Sequence, residues 1–440
     1  MSIRHLPQPK SLKPFFTIWA GQIVSLLGSQ LVQFALVWYL TSSTGSATVL
    51  ALATMVALLP QIFLSPVAGA LVDRWNRRTV MIVADAGTAL ATVVLAALFW
   101  VGAVEVWHIY LLMFIRATGG AFHWPAMQAS TTLLVPEKHL SRIAGLNQSL
   151  YGLANIVSPP LGALLLSLLP MQSILAIDVG TAMLAIVPLL FIAIPNPPRS
   201  SGETSGVKPS VLADVRQGLR LAWRWPGLLL ILVLAALLNL LLVPAMSLLP
   251  ILVTEHFGGL AMELAWTEAG WGLGIIIGGL LMGAWGGFKR RIVTGLLALV
   301  LMGAGLTAVG FAPATALLLA IAALFLAGAM NSMANGSFFA ALQATVPPDM
   351  QGRIFTIAVS GSSAMAPLGL AMAGPLADRF GVQVWFVAAG LFVLAMGLAA
   401  FFIPAIMGFE EEGQAIIEQQ MAIPALEAVA PDGSSHLPAQ

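Results

Sequence analysis

The chain has no cysteine, 3 tyrosines in 440 residues, and charged side chains at only 8% of positions. The missing thiols exclude disulfides and thiolate metal sites, and they say nothing about the redox compartment. Soluble domains are about 25% charged, so this chain cannot clothe itself in a solvated surface. Its net charge of +1 gives no bulk attraction to nucleic acid. No short alternating strands occur, which argues against a β-barrel. Glycine-rich runs such as Gly272-x-Gly274 follow no strand and lead to no Gly-Lys-Ser/Thr, so they are no phosphate loop. No nucleophile–base pair and no cluster of metal ligands stands out. The expectation is a protein without cofactor, metal or catalytic residues, and not an enzyme.

What is abundant is apolar: 59% of residues are hydrophobic. A membrane span needs about 20 such residues for a ~30 Å hydrocarbon core. That ruler finds twelve spans, at about 15–40, 48–72, 79–103, 107–132, 141–168, 171–194, 226–253, 265–286, 292–312, 315–345, 351–375 and 381–407. The first exceeds a signal-peptide core of ~7–15 residues and carries no Ala-x-Ala site, so it reads as a membrane helix. With the N-terminus in the cytoplasm, 17 of the 19 Lys and Arg residues fall inside; Arg379 falls outside and Arg116 lies within a span. This asymmetry supports an all-α polytopic protein of the plasma (inner) membrane, with both termini cytoplasmic.

The two halves repeat. Val135-Pro136 and Arg142 recur 211 residues on as Val346-Pro347 and Arg353, and Arg77-Arg78 recur 213 residues on as Arg290-Arg291. Parallel six-helix repeats of this kind place a substrate site near the midplane between halves. The organisation is a cytoplasmic N-terminus (1–14), a six-helix half (15–194), a linker (195–225), a second half (226–407) and a tail (408–440). Within the linker, Leu212, Val215, Leu219 and Trp223 alternate with Arg216, Arg220 and Arg224 as in an amphipathic helix on the membrane face. Glu410-Glu411-Glu412 opens the tail, which is polar enough to be disordered.

One loop concentrates the scarce charge. Asp73, Arg74, Arg77 and Arg78 put four charges into six residues, after Gly69 and Ala70, which would let two helices approach closely. Gly69-x-Leu71-x-Asp73-Arg74-x-x-Arg77-Arg78 resembles the loop 2–3 signature of the major facilitator superfamily. Asn76 stands where that family usually has glycine, and Asn tolerates a left-handed turn better than most residues. Leu112-x-x-x-Arg116-x-x-Gly119-Gly120 resembles a second family signature. Ser158-Pro159-Pro160-Leu161-Gly162-Ala163 resembles the antiporter signature, with Ser and Ala replacing two glycines. Ile18-Trp19-Ala20-Gly21-Gln22, Phe114-Ile115-Arg116 and Ala176-Ile177-Asp178-Val179 are similar to stretches of Mef-type macrolide efflux proteins. The resemblance implies a twelve-helix, two-half fold that exports a hydrophobic drug by alternating access, exchanged for protons. Its expected partners are a small hydrophobic substrate, protons and the bilayer, with the chain a monomer. Export of an endogenous small molecule such as a siderophore is the alternative; a non-transporting membrane sensor is an alternative of another class. Gly69, Asp73, Arg74, Arg77 and Arg78 would form a gate latch, and Pro159, Pro160 and Gly162 the antiporter-like bend.

Arg116 lies nine residues into span 4, about 14 Å deep, where a charge needs a cavity or a partner. Asp178 and Asp85 are candidate partners. The three residues are candidates for coupling protons to transport; the alternatives are an ion pair of Arg116 that holds the half together and, for Asp85, snorkelling toward the inner surface or meeting the loop 2–3 arginines. Trp19, Gln22, Gln30, Gln33, Phe34, Trp38, His123, Asn155 and Asn239 are candidates for the substrate cavity; each is equally the kind of residue that bundle packing satisfies. Trp100, Trp107, Trp223, Trp225 and Trp385 sit where an interfacial belt belongs. Glu268 reads as a solvated helix start or a group at the outer mouth. Gly374-Pro375-Leu376-Ala377-Asp378-Arg379 looks like a second copy of the loop signature, but on the outer side and without closing arginines. The repeat partner is Trp285-Gly286-Gly287-Phe288-Lys289-Arg290-Arg291, which keeps the basic end and loses the acid.

Overall fold

The computed structural model describes residues 11–72, 74–194, 220, 223, 225–346 and 348–414. The first ten residues, Asp73, the linker helix and the tail beyond 414 lie outside the described residues.

Twelve long helices make up the described chain. They are α1 (Lys13–Thr44), α2 (Ala47–Val72), α3 (Arg77–Trp100), α4 (Val106–Leu134), α5 (Glu137–Leu168), α6 (Met171–Phe191), α7 (Pro226–Ser247), α8 (Ala261–Trp285), α9 (Arg291–Phe311), α10 (Leu317–Thr345), α11 (Pro348–Phe380) and α12 (Val382–Ala400). Eleven are long and apolar enough to cross a membrane. The other is α4, 29 residues long, whose hydropathy is lowered by Arg116, His108 and His123. Pro159 and Pro160 sit inside α5 without ending it. The terminators follow local chemistry: Gly45 closes α1 in the left-handed conformation, at φ 61°.

The repeat is visible in the packing. α1 lies against α5 and α6, α2 against α4, and α3 against α4 and α6. The second half copies this with α7 on α11, α8 on α10, and α9 on α10 and α12. The halves meet through α2 with α11 and α5 with α8. Small residues bring these backbones together, as membrane packing requires: a Cβ at Gly374 would lie 2.8 Å from Thr48 Cα.

We call the side bearing Lys13 and Phe409 basal and the opposite one the far side. On the far side one hydrophobic core draws on both halves, joining Leu36, Leu40 and Leu50 to Leu248, Ala373 and Trp385. On the basal side there are two cores, one for each half. The halves are therefore sealed together on the far side and parted on the basal side.

Three expectations change here. Gly69 is not at a close approach: a Cβ there would meet nothing within 4 Å, because the parted basal ends leave that face of α2 uncovered. Asn76 needs no left-handed turn; it is extended (φ −72°, ψ 111°) and its side chain caps α3 by accepting from the Thr79 N–H at 3.2 Å. The tail does not begin at 408. Residues 409–414 are helical, Phe409 is fully buried and stacks on Trp225 at 4.7 Å, and Glu412 accepts from the Trp225 indole N–H at 3.2 Å. Trp225 and Trp385 are accordingly core residues, whereas Trp100, Trp107 and Trp223 are exposed as a belt requires.

Candidate functional site

Four helices of the first half bring one polar group each to a common point. Arg116 of α4 sits 2.6 Å from Asp178 of α6 through Nη1 and Oδ2. The Arg116 Nη2 also donates to the Ser29 carbonyl of α1 at 3.2 Å, and Ser29 Oγ donates to Asp178 Oδ1 at 3.2 Å. Thr92 of α3, fully buried, accepts from Arg116 Nη1 at 3.4 Å. Asp178 is 3% exposed. Gly28 makes the approach of α1 to α6 feasible, since a Cβ there would stand 2.2 Å from Thr181 Oγ1. Charge-assisted hydrogen bonds of this kind are roughly twice as strong as neutral ones, and each charge here is compensated locally.

Asp85 of α3 is separate from that pair. It accepts from Gln22 Nε2 at 3.1 Å and lies 3.5 Å from His123 Nε2. The histidine nitrogen is buried but out of hydrogen-bond alignment with that carboxylate. Both groups line one cavity of about 640 Å³, together with Trp19, Gln22, Arg116, Asp178, Trp124 and Tyr151. Trp19 Nε1 donates to Asn147 at 2.6 Å across the cavity wall. Trp124 and Tyr151, which the sequence reading did not select, meet edge to face at 5.2 Å; nothing in their spacing set them apart from belt or packing aromatics.

The remaining candidates are dispersed. Asn239 lines a second cavity of about 280 Å³ inside the other half, with Asn335, Phe338, Phe339, Phe355 and Ser362. Gln30 and Asn155 hydrogen-bond to each other at 3.3 Å. Phe34 and Trp38 belong to the far-side core and line neither cavity; a Cβ at Gly162 would touch the Phe34 ring at 2.8 Å, so the glycine of the antiporter-like stretch makes room for that ring. Gln33 is partly buried and lines neither cavity. Glu268 of α8 is partly buried and forms no hydrogen bond or ion pair with a described residue.

The loop residues are anchored within their own half. Arg77 donates to the Ala129 carbonyl at 3.2 Å. Arg78 donates to the carbonyls of Leu189 and Leu190 at the end of α6, where the helix dipole favours a cation. The supposed decoy spans the two halves instead. Asp378, at the far-side end of α11, accepts from the backbone N–H groups of Ala47 (2.7 Å) and Thr48 (3.1 Å) and from Ser46 Oγ (3.1 Å). It thus caps the first turn of α2 from across the interface.

The family model of the Major Facilitator Superfamily matches residues 18–370. The chain belongs to that superfamily. It is a multi-pass membrane transporter of a family of transporters rather than enzymes, related to macrolide and multidrug efflux proteins. It is 34% identical over 384 residues to macrolide efflux protein A of Streptococcus pyogenes, covering 87% of this chain and 94% of that one. Against the multidrug efflux pump Tap of Mycolicibacterium fortuitum the identity is 27% over 404 residues, covering 89% and 96%. Among solved structures, a bacterial homolog of the human lysosomal transporter Spinster, inward-facing and unoccupied, superposes with a TM-score of 0.70 at 15% identity, covering 91% and 98%. That likeness concerns the fold of this superfamily member.

Proposed function

We propose that this protein exports a hydrophobic drug or antibiotic by alternating access, in exchange for protons. The observation that carries the reading is the buried Arg116–Asp178 pair at 2.6 Å on the wall of the larger cavity, in a chain whose curated relatives are named for macrolide and multidrug efflux. A mid-membrane ion pair facing a cavity is costly and rarely kept without a task. A proton arriving on Asp178 neutralises the carboxylate and weakens its hold on Arg116; loss of that proton restores the pair. Trp19, Leu26, Trp124 and Met127 give the cavity apolar surface beside its many polar side chains, which suits a hydrophobic substrate that also carries polar groups.

The described state reads as open to the cytoplasm. Among the described residues, the arginines and lysines other than Arg116 and Arg379 lie toward the basal side, which supports placing it inside. In that reading Asp378 holds the far side shut through the α2 N-terminus, and the Gly69–Arg78 loop serves the opposite state, in which the basal ends close.

Proteoliposomes test this directly. A proton gradient should drive uptake of a macrolide into inverted vesicles, and drug addition should release protons. Asp178→Asn should remove the coupled flux while leaving the protein folded. Full gradient-driven transport by both Asp178→Asn and Arg116→Ala would end the coupling proposal, and silence against a broad drug panel would end the export reading.

A further inference from the structure

A groove of about 770 Å³ runs between α3 and α4 on the outside of the first half. Its walls face away from the central cavity: Val83 is 64% exposed and Phe114 45%. On a spanning helix, such apolar exposure is contact with lipid tails. At the basal end the groove is capped by Arg74 and Trp75. The Trp75 ring stacks on Phe122 at 6.1 Å and 19°, which fixes an indole at the level where interfacial aromatics sit. Arg74 is exposed and, unlike those of Arg77 and Arg78, its side chain makes no hydrogen bond or ion pair with a described residue.

The dimensions match half a bilayer. From the cap at Asn76 to Gly87 the groove follows eleven residues of helix, about 17 Å, against ~15 Å for the hydrocarbon of one leaflet. At Gly87 a Cβ would meet nothing within 4 Å, so the floor is open. A guanidinium without a partner among the described residues, above an apolar trough of one-leaflet depth, is complementary to one kind of molecule: a phosphate on an acyl chain.

We propose that this groove binds an anionic phospholipid, with its phosphate held by Arg74 and one acyl chain lying along Val83, Gly87 and Phe114. Guanidinium pairs with phosphate in bidentate fashion, and the cytoplasmic leaflet is the anionic one. The site also reaches the transport machinery. Ala84, Thr88 and Gly119 line both the groove and the central cavity, so the lipid chain presses on the other side of a wall one residue thick. The proposal rests on a membrane-spanning chain with its basal side at the anionic leaflet, and it holds whatever the substrate is.

The test is native mass spectrometry of the full chain, delipidated and then offered phosphatidylglycerol and phosphatidylcholine with the same chains. The expected result is a preference of about fivefold for phosphatidylglycerol, the equivalent of the ~1 kcal/mol contributed by one arginine near an anionic surface. Arg74→Gln should erase the headgroup preference while keeping bound chains. Gly87→Leu, which has space for its side chain, should lower the retention of both lipids. Equal binding of the two headgroups by the wild type overturns the proposal, as does retention indifferent to both variants. A transported drug that fills the emptied groove and is lost in Gly87→Leu also overturns it, in favour of a drug site. No outcome depends on transport, so failure of the export reading is seen separately.

Discussion

The cavity walled by Asp178 in the first half and the one walled by Asn239 in the second differ in kind. The larger one in the first half is lined by Arg116, Asp178, Asp85 and His123. The smaller one in the second half carries Asn239, Asn335 and Ser362 among phenylalanines, and none of its lining side chains is charged. Most helix pairs of the first half recur in the second, the main exception being α1 on α6, whose counterpart α7 leans on α11 more than on α12, so the shared fold alone does not dictate the difference in charge. It teaches that the repeat conserves geometry while the chemistry is free to diverge. The asymmetry belongs to the cavity walls: those of the first half can change their protonation, whereas those of the second change only their grip, and the partly buried Glu268 of α8 lines neither cavity.

The largest break in that comparison should come from Asp178→Ala, which leaves the Arg116 guanidinium buried without its carboxylate. Removing one partner of a buried pair costs about 3–5 kcal/mol, so thermal unfolding in detergent should fall sharply, and Asp178→Ala with Arg116→Met should recover much of the loss. Asn239→Ala in the other cavity should cost far less; an equal loss would erase the asymmetry. Next in size, Asp85→Asn should slow drug uptake into everted vesicles about tenfold, ~1.4 kcal/mol of barrier, with melting little changed. Melting as low as that of Asp178→Ala would make Asp85 structural instead.

A finer comparison sets the two Gly-x-Leu-x-Asp-Arg stretches side by side. At the far side, Gly374 and Asp378 are engaged across the halves; at the basal side, Gly69 faces open space. Asp378→Ala should lose about 1 kcal/mol of capping and shift the population about fivefold toward a state open on the far side. The chain has no cysteine, so spin labels at Ser43→Cys and Val384→Cys report this without background. Unchanged distances between them would remove Asp378 from the gate. The smallest effect belongs to Glu410→Gln. Glu410 accepts from the Arg291 N–H at 3.0 Å, at the N-terminus of α9, and its loss should cost ~0.3–1 kcal/mol. A shift in melting beyond a few degrees would mean that the segment after α12 does more than cap.

The span ruler and the sorting of 19 cations were enough for the helices and the repeat, because hydrocarbon thickness and charge retention act on local sequence. Arg116 was visible for the same reason: a lone guanidinium in an apolar run announces its cost. What could not be read was rotation. Phe34 and Trp38 lie on the same helix as Trp19 and Gln22, yet the far-side core takes the first two and the cavity the others. Along α1 aromatic side chains serve both surroundings, Trp19 at the cavity and Phe34 and Trp38 in the core, so residue type alone does not tell the two apart. The role of Asp378 was hidden for a different reason. Its partners are backbone N–H groups more than 300 residues away in sequence, and such donors carry no side-chain signature.

The C-terminal copy of the loop signature lacks its acid, and the chain supplies one late. Glu411 pairs with Arg290 and Glu410 with the backbone of Arg291, and the latter two residues are separated by 119 positions. At ~5–20 residues per second of synthesis, roughly ten seconds pass between them. For that interval the two arginines stand without those glutamates, and in the proposed topology this is the form in which they resist translocation between α8 and α9. Once the glutamates emerge, the Arg290 guanidinium and the Arg291 backbone N–H become a clasp. Under the proposed topology Arg290 thus serves first as a topogenic signal and then as a structural contact, and the order of synthesis keeps the two duties from colliding.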